Sequence, residues 1–291
     1  MTSVRVRYLV PPEREEEVVA ALWELGTLGV QVVEAGAGEV RLEAYFDGPA
    51  PGAVAGIAPM GSEQVPAQDW LASYRAAARP FPVGERLWLD PREPEAPEEP
   101  APPGRRTLRI PARGAFGTGS HESTRLVLEM LEEMPLAGRR VLDVGTGTGV
   151  LSLAALALGA HSALGLDVDP AAPFHARENR RLDGLDGLGG RGPILLAGTL
   201  RALRPPPSGA RFDLALVNVI PEVIAPDLPL LPPLLGDIFG VRAEVVVSGA
   251  LAASRSAVLA TWSGLGFRPV AERAAGEWVA FRLERRPGGP P

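Results

Sequence analysis

The run Val141-Leu142-Asp143-Val144-Gly145-Thr146-Gly147-Thr148-Gly149 is where residue types and spacing point most directly to chemistry. An apolar strand leads into glycines and then straight into the helical stretch Leu151–Leu158. Glycine lets the backbone turn tightly and lets a ligand approach a helix N-terminus without a Cβ in the way. At the end of the next strand stands Asp167, where a carboxylate can accept two hydrogen bonds from a ribose diol. Two enzyme classes share that outline. A nicotinamide dehydrogenase wraps a pyrophosphate with G-x-G-x-x-G, which would put its third glycine at Val150. Here Gly149 comes one place early, and Asp143 precedes the glycines.

The elements needed to position these residues are legible around them. From Arg105 onward, candidate strands Arg140–Val144, Ala163–Asp167, Ile194–Ala197, Leu214–Val217 and Glu244–Ser248 alternate with helices at Val150–Leu158, Ala171–Leu182, Glu222–Leu231 and Ala252–Gly264. That alternation predicts an α/β fold, a parallel sheet covered on both faces. The end differs: Phe267–Glu272 and Trp278–Leu283 flank the turn Ala275-Gly276-Glu277, which predicts a closing antiparallel hairpin. The beginning reads strand, helix, strand, strand, with Val18, Val19, Leu22 and Trp23 as the apolar face of the helix. The expected organisation is a small α+β domain over 1–60 and a linker region over 61–104, then the α/β domain over 105–286 and a disordered tail over 287–291. The linker includes a short helical stretch, Ser73–Arg79, and the Pro/Glu-rich Asp90–Gly104, read as exposed and solvated.

With 46% hydrophobic residues the chain can bury a real core, and its net charge of −6 argues against a protein that coats itself on nucleic acid. There is no cysteine, and His121, His161 and His175 have no metal-ligand spacing, so no metal site is expected. The N-terminus turns acidic too early for a signal peptide, and no apolar run has the length to cross a bilayer. A cytoplasmic protein without membrane or direct nucleic-acid contacts is the expectation.

The form D-x-G-x-G-x-G, with Asp143 ahead of the glycines, resembles the first motif of class I S-adenosylmethionine-dependent methyltransferases. Upstream, Ala115-Phe116-Gly117-Thr118-Gly119-Ser120-His121-Glu122-Ser123-Thr124 resembles the A-F-G-T-G-x-H-x-T-T signature of the PrmA family, bacterial methyltransferases of ribosomal protein L-eleven. Further blocks similar to that family are Asp167-Val168-Asp169-Pro170, Glu178-Asn179, Val217-Asn218-Val219 and Ser248-Gly249-Ala250-Leu251. Ser123 stands in place of the first Thr of the T-T pair, and Thr146 where the family often has Cys.

The resemblance implies a Rossmann-like sheet of seven strands with the last one antiparallel. It also implies S-adenosyl-L-methionine as cofactor and a ribosomal protein as partner and substrate, recognised by the N-terminal domain. Carried over residue by residue, it implies cofactor contacts at Thr124, Gly145, Gly147, Asp167 and Asn218, with Phe116 and Thr118 in a loop closing over the methionine end. Asn218 becomes the catalytic candidate. It follows an apolar strand at the carboxyl edge, where its amide oxygen can receive an amine or its NH2 can face the cofactor. For His121, beside a helix start, a structural role is favoured over help in deprotonation. Two other readings stay open: a methyltransferase of another protein lysine or a small molecule, and a binding module that keeps the cofactor fold without turnover.

Overall fold

The computed structural model describes residues 2–35, 39–66, 78–97, 99–111, 117–183, 192–204, 212–237 and 242–286. The chain divides into two compact units, Met1–Trp70 and Leu71–Pro291. In the first, β1 (Thr2–Val10), β2 (Gly29–Ala35), β3 (Glu39–Phe46) and β4 (Gly61–Pro66) form an antiparallel sheet in the order β2-β3-β1-β4, and α1 (Glu15–Glu24) joins β1 to β2. Alternation decides the faces of β1. Val6, Tyr8 and Val10 are buried with Val18 and Leu22 of α1, while Arg5 on the opposite side pairs with Glu43 at 3.1 Å. Trp23, expected on the buried face, is 51% exposed, because the helix packs through Val18 and Leu22, with Val19 and Ala21 partly buried beside them.

The expected boundary at residue 60 falls one strand early. β4 pairs along β1, with Arg7 opposite Gly61 and Ser3 opposite Val65. The sequence GSEQVP lacks apolar alternation because β4 is an edge strand with one free side, so pattern alone does not reveal it.

The second unit begins with a three-stranded sheet of β5 (Phe81–Val83), β6 (Leu87–Asp90) and β7 (Arg106–Arg109). This corrects the linker assigned to 61–104 and the domain start at Arg105. Val83, Leu87 and Leu89 are fully buried, and they share a core with Leu126 and Leu131 of α2 (Glu122–Glu132) and Leu153 of α3 (Val150–Ala157). The Pro/Glu-rich loop that follows is pinned at its start, since the buried Asp90 receives Arg92 at 2.8 Å. Its composition describes an irregular backbone correctly and says nothing about where that backbone is anchored. The segment 67–77, which holds most of the expected helix Ser73–Arg79, and the tail 287–291 lie outside the described residues.

The main sheet has seven strands: β8 (Arg140–Val144), β9 (Ser162–Asp167), β10 (Ile194–Ala197), β11 (Leu214–Asn218), β12 (Glu244–Leu251), β13 (Phe267–Ala275) and β14 (Trp278–Arg285). Their order is β10-β9-β8-β11-β12-β14-β13, parallel from β10 to β12, with β14 slotted antiparallel between β12 and β13. Adjacent residues bury into opposite faces. Leu214 and Leu216 join the core under α2 and α3, whereas Ala215 and Val217 join the core that holds Val258 and Trp262 of α6 (Arg255–Gly264). Such two-sided burial is why the strands read as continuous apolar runs.

The helix α4 (Ala172–Leu182) lies between β9 and β10. The helix expected over Glu222–Leu231 shrinks to a single turn, α5 (Pro221–Ile224), followed by tighter turns at Leu228–Leu230 and Pro232–Leu234. Prolines at 226, 229, 232 and 233 remove the amide donors that a continuing helix needs.

At the amino edge of the sheet, the buried Arg139 joins Asp213 at 3.3 Å and Glu244, and Arg282 reaches Glu244 at 2.6 Å. One cation therefore ties the starts of β8, β11 and β12 together. A fragment beginning at Ala78 keeps β5 and β6 and is expected to fold; one beginning at Arg105 is expected to fail. Losing Val83, Leu87 and Leu89 removes three fully buried side chains, each worth about 2–5 kcal/mol against a total stability of about 5–15 kcal/mol. Thermal unfolding of the two fragments, followed by circular dichroism, checks this. A cooperative transition in the Arg105 fragment matching that of the longer one would show that β5 and β6 are dispensable.

Candidate active site

At the carboxyl end of β8 the chain turns through Gly145, Gly147 and Gly149, all at positive φ, and enters α3. Backbone donors are satisfied first: the amides of Gly145 and Thr146 both donate to the carbonyl of Leu166, at 2.9 and 2.8 Å. Beneath the turn lies the fully buried Asp143. Its Oδ2 accepts from the Thr146 hydroxyl at 2.7 Å and from the Ser152 hydroxyl and amide at 2.7 and 3.1 Å. One carboxylate thus holds the turn at one end and the first turn of α3 at the other. Ser152 is the single polar residue of that helix, which is the signal by which sequence reading could have paired it with Asp143. Asn179 of α4 adds a third support, donating to the Thr148 carbonyl at 3.0 Å.

Asp167 ends β9 next to this turn. Its Oδ2 accepts the Gly147 amide at 2.8 Å and its Oδ1 the Asp169 amide at 3.0 Å. The residue read from sequence as a ribose acceptor therefore also fixes the glycine turn, and each oxygen keeps a second lone pair for another donor.

Asn218 ends β11 one strand over, and the preceding Val217 pairs with Val144. Its Nδ2 donates to Thr124 Oγ1 at 3.1 Å, and its Oδ1 is buried without a partner among the described residues. Thr124 is buried in the first turn of α2, so the hydrogen bond joins that helix to the strand end. The structure thus brings Gly145, Gly147 and Asp167 together at one strand end, and Asn218 with Thr124 at its neighbour. Thr118 lies in the segment just before α2, with its hydroxyl 2.9 Å from that of Ser120. That segment rests on the glycine turn, where the Thr148 hydroxyl donates to the Gly117 carbonyl. Phe116 lies outside the described residues.

Burial pushes the Asp143 carboxyl up to about 6, opposed by the Ser152 and Thr146 hydrogen bonds. The folded state holds this proton more tightly than the unfolded chain. Its contribution to stability is therefore complete below the ordinary Asp value of 3.8 and is lost as pH rises through about 6. Asp143→Asn keeps an acceptor oxygen and never ionises. Its Tm relative to wild type is expected to improve by roughly 5–10 °C between pH 4 and pH 7, from a shift of about two pKa units. Asp183 and Asp213, raised by burial as well, are common to both proteins and cancel in the difference. Parallel Tm profiles for the two proteins across that window would show that Asp143 does not titrate there.

Comparison with known proteins places this geometry. The profile of the family described as ribosomal protein L11 methyltransferase (PrmA) matches residues 56–286. A protein of that name from a Synechococcus species is 35% identical over 95% of this chain and 95% of its own length. Another from Symbiobacterium thermophilum is 34% identical over 94% of this chain and 82% of its own. The crystal structure of a ribosomal protein L11 methylase from Lactobacillus delbrueckii subsp. bulgaricus superposes with a TM-score of 0.60 at 25% identity, covering 72% of this chain and 99% of that one. The glycine turn on Asp143, the carboxylate at Asp167 and the Asn218–Thr124 pair sit in a chain that belongs to the ribosomal protein L11 methyltransferase family.

Proposed function

We propose that the chain transfers methyl groups from S-adenosylmethionine to amino groups of ribosomal protein L11, on lysine side chains or the N-terminal amine. The observation that carries the reading is the buried Asn218 Oδ1, an acceptor beside the glycine turn without a partner among the described residues. A buried acceptor left unmet costs about 1–3 kcal/mol, so a site that keeps one is built for an incoming donor. An amine N–H is such a donor. S-adenosylmethionine brings an activated methyl group on a sulfonium, so the chain has to align and desolvate rather than supply a nucleophile.

The residues fit that cofactor. Gly145 and Gly147 open the turn at the head of α3, and Asp167 keeps lone pairs for a ribose diol. In this reading Asn218 receives the acceptor amine through Oδ1 while Thr124 fixes the amide by holding Nδ2. A free lysine has a pKa of about 10.4, and desolvation at a buried site favours the neutral amine that can react. The first unit, Met1–Trp70, serves as the recognition domain. It supports that role with exposed apolar side chains at Trp23, Leu25 and Leu28 around the end of α1 and Val32 on the edge strand β2. In this reading Gly117–Ser120, with Thr118, is the segment that covers the cofactor's methionine end, the role that the family resemblance also implies for Phe116.

The test is incubation of the purified chain with labelled S-adenosylmethionine and purified L11, then mass spectrometry. Mass increments in steps of one methyl group on L11 amines are expected. Label on another lysate protein but not on L11 would reassign the substrate; cofactor binding without label anywhere would make the chain a binding module. Asn218→Ala is expected to lower kcat/KM by about 10–100-fold, since misplacing a reacting pair can cost about 100-fold. Cofactor affinity should fall by less. Wild-type turnover in this variant would leave Asn218 a strand cap only.

A further inference from the structure

We propose that His121 is a positioning residue for methyl transfer: its neutral ring caps α2 through Ser123 and so holds Thr124 Oγ1 against Asn218, and protonation of the ring uncouples Thr124 from Asn218. The inference rests on the amine-transfer reading for its consequence in turnover, but its structural half stands on the hydrogen bonds alone.

His121 is the N-cap of α2, with extended backbone at φ −69° and ψ 140°. Its Nδ1 accepts the Ser123 amide at 3.3 Å, with the Ser123 hydroxyl also 2.8 Å away. A ring nitrogen that accepts an N–H carries no proton, so the hydrogen of the neutral ring is on Nε2. Its carbonyl takes the amides of Thr124 and Arg125, at 3.1 and 3.0 Å. Both the side chain and the backbone of this residue therefore define the first helical turn. In that turn Thr124 supplies the oxygen 3.1 Å from Asn218 Nδ2.

Once Nδ1 gains a proton it can only donate. The Ser123 amide, in a residue 2% exposed, then has no acceptor in the ring, and its buried N–H must move or remain unpaired. The turn that moves carries Thr124.

The surroundings favour the neutral form. Burial lowers the ring's pKa, and the nearby Glu122 carboxylate opposes that in part. Trp278 of β14 meets the ring edge-on, with centroids 4.8 Å apart. Among the described residues, the other elements packed on α2 bring little charge to this end. α3 and β5 hold no ionisable residue, and β11 contributes Asn218. β12 ends in the uncharged stretch Ser248–Leu251, while its Glu244 is engaged by Arg139 and Arg282 at the opposite edge. Arg273 of β13 is engaged with Glu129 and Glu133 further along α2, and Arg125 stacks towards Phe81.

The experiment separates a cap from a mere packing residue by rescue and by pH. Asn is among the best N-caps and does not titrate. With L11 as substrate, His121→Ala is expected to lower kcat about 10-fold with cofactor Kd changed less than about 2-fold, and His121→Asn to recover most of the loss. Below the ordinary histidine pKa of about 6.5, log kcat/KM of the wild type is expected to steepen from a slope of one, for the acceptor amine, toward two. His121→Asn is expected to keep a slope of one.

NMR of the full chain gives a readout that needs no substrate. The Thr124 backbone amide and the Asn218 side-chain amide are expected to titrate together with the His121 ring in the wild type and to be flat in His121→Asn. Failure of the wild type to methylate L11 would count against the proposed function and leave the NMR result to decide this inference. Amide signals at Thr124 and Asn218 that ignore the ring's titration, or a His121→Asn variant as impaired as His121→Ala, would overturn it.

Discussion

The buried carboxylate of Asp143 is the interaction on which the rest of this site depends. A chain that leaves a central strand through three positive-φ glycines has few backbone restraints of its own, and glycine loses more conformational entropy on ordering than any other residue. Asp143 offsets that freedom by gripping Thr146 inside the turn and Ser152 in the helix beyond it. Asp167 and Asn179 then fasten the middle of the turn from β9 and α4, through Gly147 and the Thr148 carbonyl. Three side chains from three different elements thus converge on the turn and the helix start behind it. Each is polar where its own element would otherwise be apolar or solvent-facing, which explains their presence without reference to a ligand.

The two edges of the sheet are organised by opposite physics. At the amino edge, Arg139 with Asp213 and Glu244 is a fully satisfied ionic cluster, and removing one member of such a cluster costs about 3–5 kcal/mol because the others are left charged in the interior. At the carboxyl edge the polar groups are only partly satisfied: Asp143 Oδ1, Asn179 Oδ1 and Asn218 Oδ1 have no partner among the described residues. Closed hydrogen bonding ties the strand starts together at one edge, and three buried acceptors stay open near the other. That asymmetry is what a ligand site at the carboxyl ends of a parallel sheet requires.

The main sheet was legible from sequence because its strands are buried on both faces and its helices carry matching apolar stripes. Strand bounds at Arg140–Val144 and Ile194–Ala197 agree with expectation to the residue. Misreadings arose where a short element gets its stability from tertiary contacts. β4 is polar and depends on backbone pairing to β1, and β5 and β6 are three and four residues long with a proline among them. The proline-rich stretch after Asn218 kept an apolar period that suggested a helix, while its missing donors forbade one. For the candidate site, the glycines and Asp167 were legible from motif spacing, and Asn218 from the family resemblance and its place at a strand end. The support from Asn179 was not, because a hydrogen bond between residues on different elements leaves no periodic trace, and the pairing of Asp143 with Ser152 left a single sign, one polar residue in an apolar helix.

The glycine motif is usually explained by the room it gives to a ligand, yet here two of the relevant glycines are required by the protein itself. A Cβ on Gly145, at φ +72°, would stand 2.4 Å from Val219 Cγ2. A Cβ on Gly249, at φ +79°, would stand 2.9 Å from the backbone of the same Val219. Gly249 lies in the bulge where β12 shifts register against β14, and that irregularity lets the strand end yield to its neighbour. Val219 is thereby clamped between two positions that lack side chains, and the residue before it is Asn218. With Thr124 fixing the amide from the other side, the orientation of Oδ1 follows from a backbone clamp and one hydrogen bond. In the role proposed for Asn218, an acceptor held in this way would be set before an amine arrives, so that little reorganisation would remain for the moment of reaction. On that proposal, alignment is the part of amine methylation that the protein has to supply, and the packing of Val219 between two glycines is what would supply it.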